Sequence, residues 1–397
     1  MHQVRSNAFV DNTPDERAEF GGRSVLTTDR SLPLYVGSVV FRRVAFADNH
    51  PLKIVRHSAV LDLVNILGWL SDEAFCQAPA ATFEQLTQFH DPAYVRALQQ
   101  ADSTGTVDPA QRARYRIGTL ENPLFSGLYE RAATTVGGSI LAAQLASKGH
   151  VVFHPSGGTH HGRRDRASGF CYFNDPVFAI RTLLTDGRMD RVMYVDFDAH
   201  HGDGVEEAFV EESRVMTVSI HEQDRWPHSG LVDDRRNGGA RNLPVPSGFS
   251  DSELEYLTEH ALLPLVGQFG PDALVLCCGA DCLKGDPLSG MMLSNVKLWE
   301  TVERFLDLRK PTVILGGGGY NPWTVVRYWA GMWGRLIKAP FPAELPPAAL
   351  ELLGSMECDL IEDDEVDEAW LTTLVDASHT GDVRDEIRSL AAEATRR

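Results

Sequence analysis

Five short apolar runs rich in β-branched residues recur along this chain, and each is followed directly by histidine, aspartate or glycine. Residues 151–153 lead into Ser156-Gly-Gly-Thr-His160-His161, and residues 192–195 into Asp196-Phe-Asp198-Ala-His200-His201-Gly-Asp203. Residues 273–278 run into Gly279-Ala-Asp281, residues 312–315 into four glycines and Tyr320, and residues 215–220 form the fifth run. Short apolar runs of this kind read as strands buried on both faces. Stretches of helical spacing lie among them. Residues 127–147 carry Ala, Leu and Ile at that spacing, Asn174-Asp-Pro176 is a helix start, and Asn321-Pro322 is another. Ser250 with Glu253 forms a capping-box signature for a helix running toward Leu263. Strands alternating with helices predict a parallel sheet covered on both faces, and such sheets gather ligands beyond the carboxyl ends of their strands. The chemically active side chains of these motifs fall there.

Alternate residues leaving a strand point the same way, so Asp198 and His200 can face one cation. Asp281, directly after another buried strand, completes a three-ligand set, with Asp272 and Asp286 as rival carboxylates nearby in sequence. Two carboxylates and an imidazole suit a divalent metal such as zinc, with one position left for water and substrate. His161 is the candidate base for that water and the candidate acid for a leaving amine. Asp196 and Asp203 can each orient a histidine ring and set its tautomer. Tyr320 can donate its hydroxyl to a developing oxyanion. Plainer readings stand beside these: a lone histidine is most often a satisfied core residue, and a lone tyrosine ordinary packing. The adjacent His160 and the aspartate cluster decide for chemistry at His161. No Gly-Lys-Ser/Thr follows residues 316–319, which excludes a triphosphate loop. Cys277, Cys278 and Cys282 lack the matching pair a thiolate zinc site needs, so Cys277 and Cys278 read as small buried hydrophobes.

A chain of 397 residues can form one large α/β domain or two ordinary ones. No window approaches the roughly 18 apolar residues of a membrane span, and residues 1–30 lack the apolar core of a secretory signal. The expected organisation is an arm over 1–33, a catalytic domain over 34–340 and an acidic appendage over 341–397. Eight acids and no base fall within residues 357–368, read as a solvated segment. Six cysteines without CxxC spacing fit a reducing cytoplasm. A formal charge of −18 argues against nucleic-acid binding and suits cationic substrates or lysine-rich protein surfaces.

His90-Asp-Pro-Ala-Tyr94, Gly157-Gly-Thr-His-His161, Ala167-Ser-Gly-Phe-Cys-Tyr-Phe-Asn-Asp175 and Tyr194-Val-Asp-Phe-Asp-Ala-His-His-Gly-Asp-Gly204 together resemble the histone deacetylase superfamily. Gly279-Ala-Asp281 with Gly285-Asp-Pro287, and residues 316–321, complete a likeness running from about residue 35 to 338. It is nearest to class I deacetylases and bacterial acetoin-utilisation deacetylases. The resemblance implies a three-layer α/β/α arginase-like fold with a central, mainly parallel sheet. It implies Zn²⁺, with Fe²⁺ as the alternative occupant, held by Asp198, His200 and Asp281. His161 would be general base and acid, paired with Asp203. His160, paired with Asp196, would give electrostatic support, and Tyr320 would polarise the acyl carbonyl. A potassium ion would sit behind, at Asp196, Asp198, Ser219 and the backbone of His200 and Ile220. Phe170 and Trp226 would line an acyl-lysine tunnel, with the Gly169 carbonyl receiving the amide and Gly318 and Gly319 beside the substrate. Arg56 matches a family arginine near an internal channel for the released acid.

Two departures stand out. Gly162 replaces a usual alanine, a change expected to alter packing little, and Trp226-Pro-His228-Ser-Gly230 brings a larger aromatic and an added imidazole to the rim. The implied activity is removal of acetyl groups from lysine side chains of cytoplasmic proteins, with a homo-oligomer left open. The alternatives are a small acetylated amine such as an acetylpolyamine, or a silent homologue that binds acylated ligands. A two-manganese ureohydrolase would need carboxylates where Gly202 and Leu283 stand.

Overall fold

The apolar runs become strands because both of their faces are covered. In the computed structural model, which describes residues 32–43, 46, 50–185 and 189–396, eight strands form one sheet. They are β1 Leu34–Gly37, β2 Phe75–Gln77, β3 Val151–His154 and β4 Val192–Asp196, then β5 Val215–Glu222, β6 Ala240–Val245, β7 Ala273–Cys277 and β8 Thr312–Leu315. All pair in parallel, in the order β2-β1-β3-β8-β7-β4-β5-β6. The arm expected over 1–33 lies, but for its last two residues, outside the described residues. β2 and β6 are the edges, and neither shows as an apolar run: β2 has three residues, and β6 carries Arg241, Asn242 and Pro244. Proline is tolerated at an edge because no second neighbour needs its missing N–H.

Period-two alternation splits the core into two layers. Met193, Val195, Leu274, Leu276 and Ile314 face one side, where helices His57–Ile66, Asn295–Leu306 and Pro322–Leu336 pack. Val192, Tyr194, Val275, Cys277 and Val313 face the other, under helices Leu128–Ala146 and Asp175–Thr185. The caps read from sequence are present: Asn321 Oδ1 accepts from the backbone N–H of Trp323 and Thr324 at 3.1 and 3.2 Å, and Ser250 pairs with Glu253. The helix after Ser250 passes Leu263, continuing through a widened turn at Thr258–Leu262 to Phe269. Pro264 follows that turn and has no N–H to donate back into it.

The segment expected as an appendage shares this core. Leu345, Ala349, Leu353, Leu374, Ile387 and Leu390 are buried with the Pro322–Leu336 layer, and no packing boundary falls at residue 340. The run 357–368 itself stays exposed or half-buried. Its acids masked the widely spaced apolar positions on either side.

His90 shows how a family-motif residue serves the fold. Its buried ring accepts from Asn174 N at 3.1 Å through Nε2 and donates toward the Arg163 carbonyl at 3.0 Å through Nδ1, and burial lowers its pKa to about 4. The folded state therefore holds it neutral, while the unfolded chain takes up a proton near pH 6.5. Its contribution to stability is complete above that pH and is lost progressively down to about pH 4, at about 1.4 kcal/mol per unit. The wild type is expected to lose denaturant stability more steeply over pH 6.5–4.5 than His90→Asn. Equal slopes would show that the ring is not held neutral.

Candidate active site

β3, β4, β7 and β8 lie in the middle of the sheet, and their carboxyl ends deliver the site. β4 sits between β7 and β5, so Asp196 stands opposite Cys277 on one side and Ser219 on the other. Two residues on, Asp198 and His200 leave the strand end together. Asp281 arrives two residues beyond the Cys278-Gly279 exit from β7. That exit is fixed by Trp329, whose Nε1 donates to the Cys278 carbonyl at 2.9 Å.

Donor atoms of Asp198, His200 and Asp281 all lie within 4.8 Å of one another, and all three residues are buried. His200 Nδ1 is 2.9 Å from Asp281 Oδ2 and 3.3 Å from Asp198 Oδ1. The second oxygens are held by main chain: Gly318 N donates to Asp198 Oδ2 at 2.6 Å and Ala199 N to Asp281 Oδ1 at 2.9 Å. A Cβ on Gly318 would come 2.2 Å from Asp281 Oδ2 and 2.9 Å from Asp198 Oδ2, so the glycine leaves room for the carboxylates. Burial and Asp198 push the Asp281 carboxyl up to about 6. Burial disfavours charge on His200, yet Asp198 and Asp281 outweigh it and lift the ring to about 10. Electrostatics this lopsided attract positive charge, and two carboxylates with one imidazole fit a divalent cation. Asp286 is not part of the cluster: its Oδ2 accepts from Tyr320 N at 2.7 Å and places that tyrosine. Asp272 lies at the opposite end of β7, accepting from Asp190 N and Arg191 N.

The two adjacent histidines have separate partners. His160 Nδ1 is 2.7 Å from Asp196 Oδ2, and His161 Nδ1 is 2.9 Å from Asp203 Oδ1. A carboxylate only accepts, so each ring donates through Nδ1 and keeps Nε2 for other work. Burial opposes charge on His160, but Asp196 and Asp198 lift it to about 9. Burial and the neighbouring His160 lower His161 to about 4. At neutral pH one ring is a cation and the other a free base, although their centroids are 3.9 Å apart. Asp203 is held ionised against its burial by His161 and by Arg163, which also binds its carboxylate.

Donor atoms of a second buried group, His160, Asp196 and Cys277, also lie within 4.8 Å of one another. Its carboxylate is already engaged by His160, by the Tyr194 hydroxyl at 2.6 Å and by Asp198 N at 3.1 Å. Burial keeps the Cys277 thiol protonated. This group reads as a hydrogen-bond network. Cys278 and Cys282 are buried and free, as small hydrophobes.

A funnel of about 640 Å³ opens outward from His161, Gly169, Phe170, His200, Trp226 and Tyr320. The Trp226 ring meets His161 edge to face at 4.6 Å, and Phe170 meets Tyr320 at 5.9 Å. Gly318 and Arg56 line a second, inner cavity. Gly319 packs against Val325 and Ala280, and its carbonyl accepts from Arg56 Nη1 at 3.3 Å. Ser219 Oγ bonds His221 Nδ1 at 3.0 Å, and Ile220 belongs to the core. Gly162 is more constrained than its sequence suggested. A Cβ there would lie 2.7 Å from the Phe173 backbone, because residues 173–174 close directly over it.

The duties of several supporting residues could not be read from the sequence. Asp175 accepts from Gly158 N and Thr159 N at 3.1 and 2.7 Å and holds the loop before the histidine pair. Glu121 accepts from Gly169 N at 2.8 Å. His201 bridges Ser229 Oγ and Glu206 at 2.8 and 3.0 Å, tying the short helix Asp203–Ala208 to the Trp226 loop. A neighbour of unpredictable sequence separation supplies each of these contacts.

Strand order, covering layers and strand-end cluster together define an α/β arginase-like fold with a hydrolytic centre. A model of the histone deacetylase domain matches residues 50–336, and the chain belongs to the histone deacetylase family. Among its relatives, histone deacetylase 8 of Xenopus tropicalis is 33% identical over 324 residues, covering 79% of this chain and 86% of its own. Histone deacetylase 9 of Arabidopsis thaliana is 36% identical over 312 residues, 76% of this chain and 72% of its own. Crystal structures of an HDAC homolog, one from Aquifex aeolicus and one complexed with SAHA, each match with a TM-score of 0.87 at 32% identity. Each covers 92% of this chain and all of the other. The chain is a hydrolytic deacetylase of this family. No helix among the described residues is long and apolar enough to cross a membrane.

Proposed function

We propose that this deacetylase removes acetyl groups from lysine side chains of cytoplasmic proteins, using zinc held by Asp198, His200 and Asp281. The observation that carries the reading is His161, oriented by Asp203 through Nδ1, beside the two-carboxylate, one-imidazole cluster. A zinc ion there would polarise the acyl oxygen and make a water molecule nucleophilic. His161 Nε2 takes the proton of the attacking water and returns it to the departing lysine amine. Charged His160, anchored on Asp196, stabilises the negative charge that develops. The Tyr320 hydroxyl donates to the carbonyl oxygen; burial pushes its pKa well up, so it stays a donor. Phe170 and Trp226 flank the lysine stem and the Gly169 carbonyl accepts its amide N–H. Asp196 and Ser219, opposite one another across β4 and β5, would hold potassium with Asp198 and the main chain of His200 and Ile220.

The test joins metal analysis to acetate release. Purified protein is expected to carry one catalytic divalent ion per chain and to release acetate from acetyl-lysine peptides. Chelation is expected to stop release and added zinc to restore it, with iron(II) the comparison. Unimpaired hydrolysis by chelated protein would overturn the reading, and acetylpolyamines turned over faster than peptides would reassign the substrate.

A further inference from the structure

We propose that Arg163 is a positioning residue for the deacylation step, acting through Asp203 on the aim of the His161 ring. The proposal rests on the deacylase reading, with His161 as its base. Arg163 falls between the two stretches of family likeness that end at His161 and begin at Ala167, and belongs to neither.

His161 and Arg163 leave one loop, after β3, while Asp203 opens helix Asp203–Ala208 beyond β4. Both side chains of the first loop converge on that one residue. His161 Nδ1 donates to Asp203 Oδ1 at 2.9 Å, and Arg163 Nη2 donates to Oδ2. Arg163 Nη1 donates to the Asp203 carbonyl at 3.2 Å and to the Glu207 carboxylate one helical turn on. The guanidinium therefore grips side chain and main chain of Asp203 together, a fork that a point charge does not reproduce. Arg163 is itself fixed at its backbone. Its N–H donates to the Arg166 carbonyl at 3.0 Å, and its carbonyl accepts from His90 Nδ1 at 3.0 Å. Asn174 Nδ2 holds the turn between the two side chains, donating to the carbonyls of His160 and Gly162 at 3.1 and 2.8 Å.

A carboxyl group turns easily about its last torsion, so an aspartate held at one oxygen offers the ring a moving acceptor. With Oδ2 occupied, Oδ1 alone faces Nδ1, and the ring plane and the direction of Nε2 follow. Asp203 is buried, so bulk water does not stand in for the guanidinium. Errors of aim at a proton-transferring atom cost rate rather than binding. Arg163 lines neither the funnel nor the inner cavity, so its influence passes through Asp203.

The test uses the full-length, metal-loaded protein. Arg163→Met is expected to lower kcat on acetyl-lysine peptides about tenfold, with KM within about twofold of wild type. Arg163→Lys keeps one donor for Oδ2 without the fork and is expected to recover about half of that loss on a logarithmic scale. In an Asp203→Asn background the Met substitution is expected to cost no more than about twofold, because a residue acting through Asp203 has nothing left to act on. A merely structural role would give the same loss in both backgrounds and would overturn the proposal. So would an unchanged kcat in both Arg163 variants. A second readout needs no turnover: with ¹⁵N-labelled histidine, NMR follows the ring N–H that disappears in His161→Ala. Its exchange with water is expected to be at least about tenfold faster in Arg163→Met, the scale of one charge-assisted hydrogen bond. If the Met variant does not fold, the Lys variant decides: lower kcat with faster exchange supports the proposal, and neither change overturns it. An inactive wild type would count against the deacylase reading, while the exchange rates still judge Arg163.

Discussion

Replacing His161 with alanine is expected to lower kcat/KM on acetyl-lysine peptides by about 10²–10⁴-fold, the usual weight of a positioned acid–base group. The fall should sit in kcat, because the proton transfers belong to the transition state rather than to substrate binding. Metal content should be unchanged, since His161 is outside the Asp198–His200–Asp281 cluster. The neighbouring ring cannot substitute, as Asp196 and Asp198 keep His160 protonated near neutral pH. Asp203→Asn should give a smaller fall. It keeps a partner 2.9 Å from Nδ1 but offers an amide that can also donate, so the tautomer is no longer fixed. A fully active His161→Ala enzyme would remove this residue as the base.

Asp376→Ala is expected to cost about 3–5 kcal/mol of stability, the range for stripping a buried ion pair of one partner. Its partner Arg327 stands inside helix Pro322–Leu336 and is wholly buried, with Nη1 2.7 Å from Asp376 Oδ1 as an ion pair rather than an aligned hydrogen bond. Arg327 Nε donates to the Thr373 carbonyl at 2.6 Å, and Asp376 also accepts from Asn295 N at 3.0 Å. The C-terminal segment thus supplies the counter-charge for a cation in the catalytic layer. The denaturant midpoint should fall by the corresponding amount, and Arg327→Met in the same chain should recover much of it by removing the stranded charge. A stability loss under about 1 kcal/mol would mean that the guanidinium finds another partner.

The central strands and the candidate site side chains at their ends were legible because both rest on local pattern. β4, β5, β7 and β8 are apolar runs, and the Asp198/His200 pair follows from strand geometry alone. β2 and β6 were not legible, since an edge strand of three residues or one holding Pro244 lacks that signature. The place of Asp281 after β7 ordered it ahead of Asp286 and Asp272, and its donor atoms do lie with those of Asp198 and His200; the duties of the rivals came from contacts across the fold. Gly162 and the segment 341–396 were misjudged for one reason: burial beside a distant backbone or helix leaves no mark in the neighbouring sequence.

By itself, then, the sequence determined a parallel α/β sheet and the kinds of groups gathered at its carboxyl edge, because periodicity and strand ends are properties of consecutive residues. The sequence likeness implied which aspartate pairs with which histidine; the tertiary structure alone decided which ring stays neutral, and why Arg131 and His57 share a cavity with the catalytic pair. Those outcomes depend on distances of a few ångströms between residues tens to hundreds of positions apart, and on burial that no single segment controls.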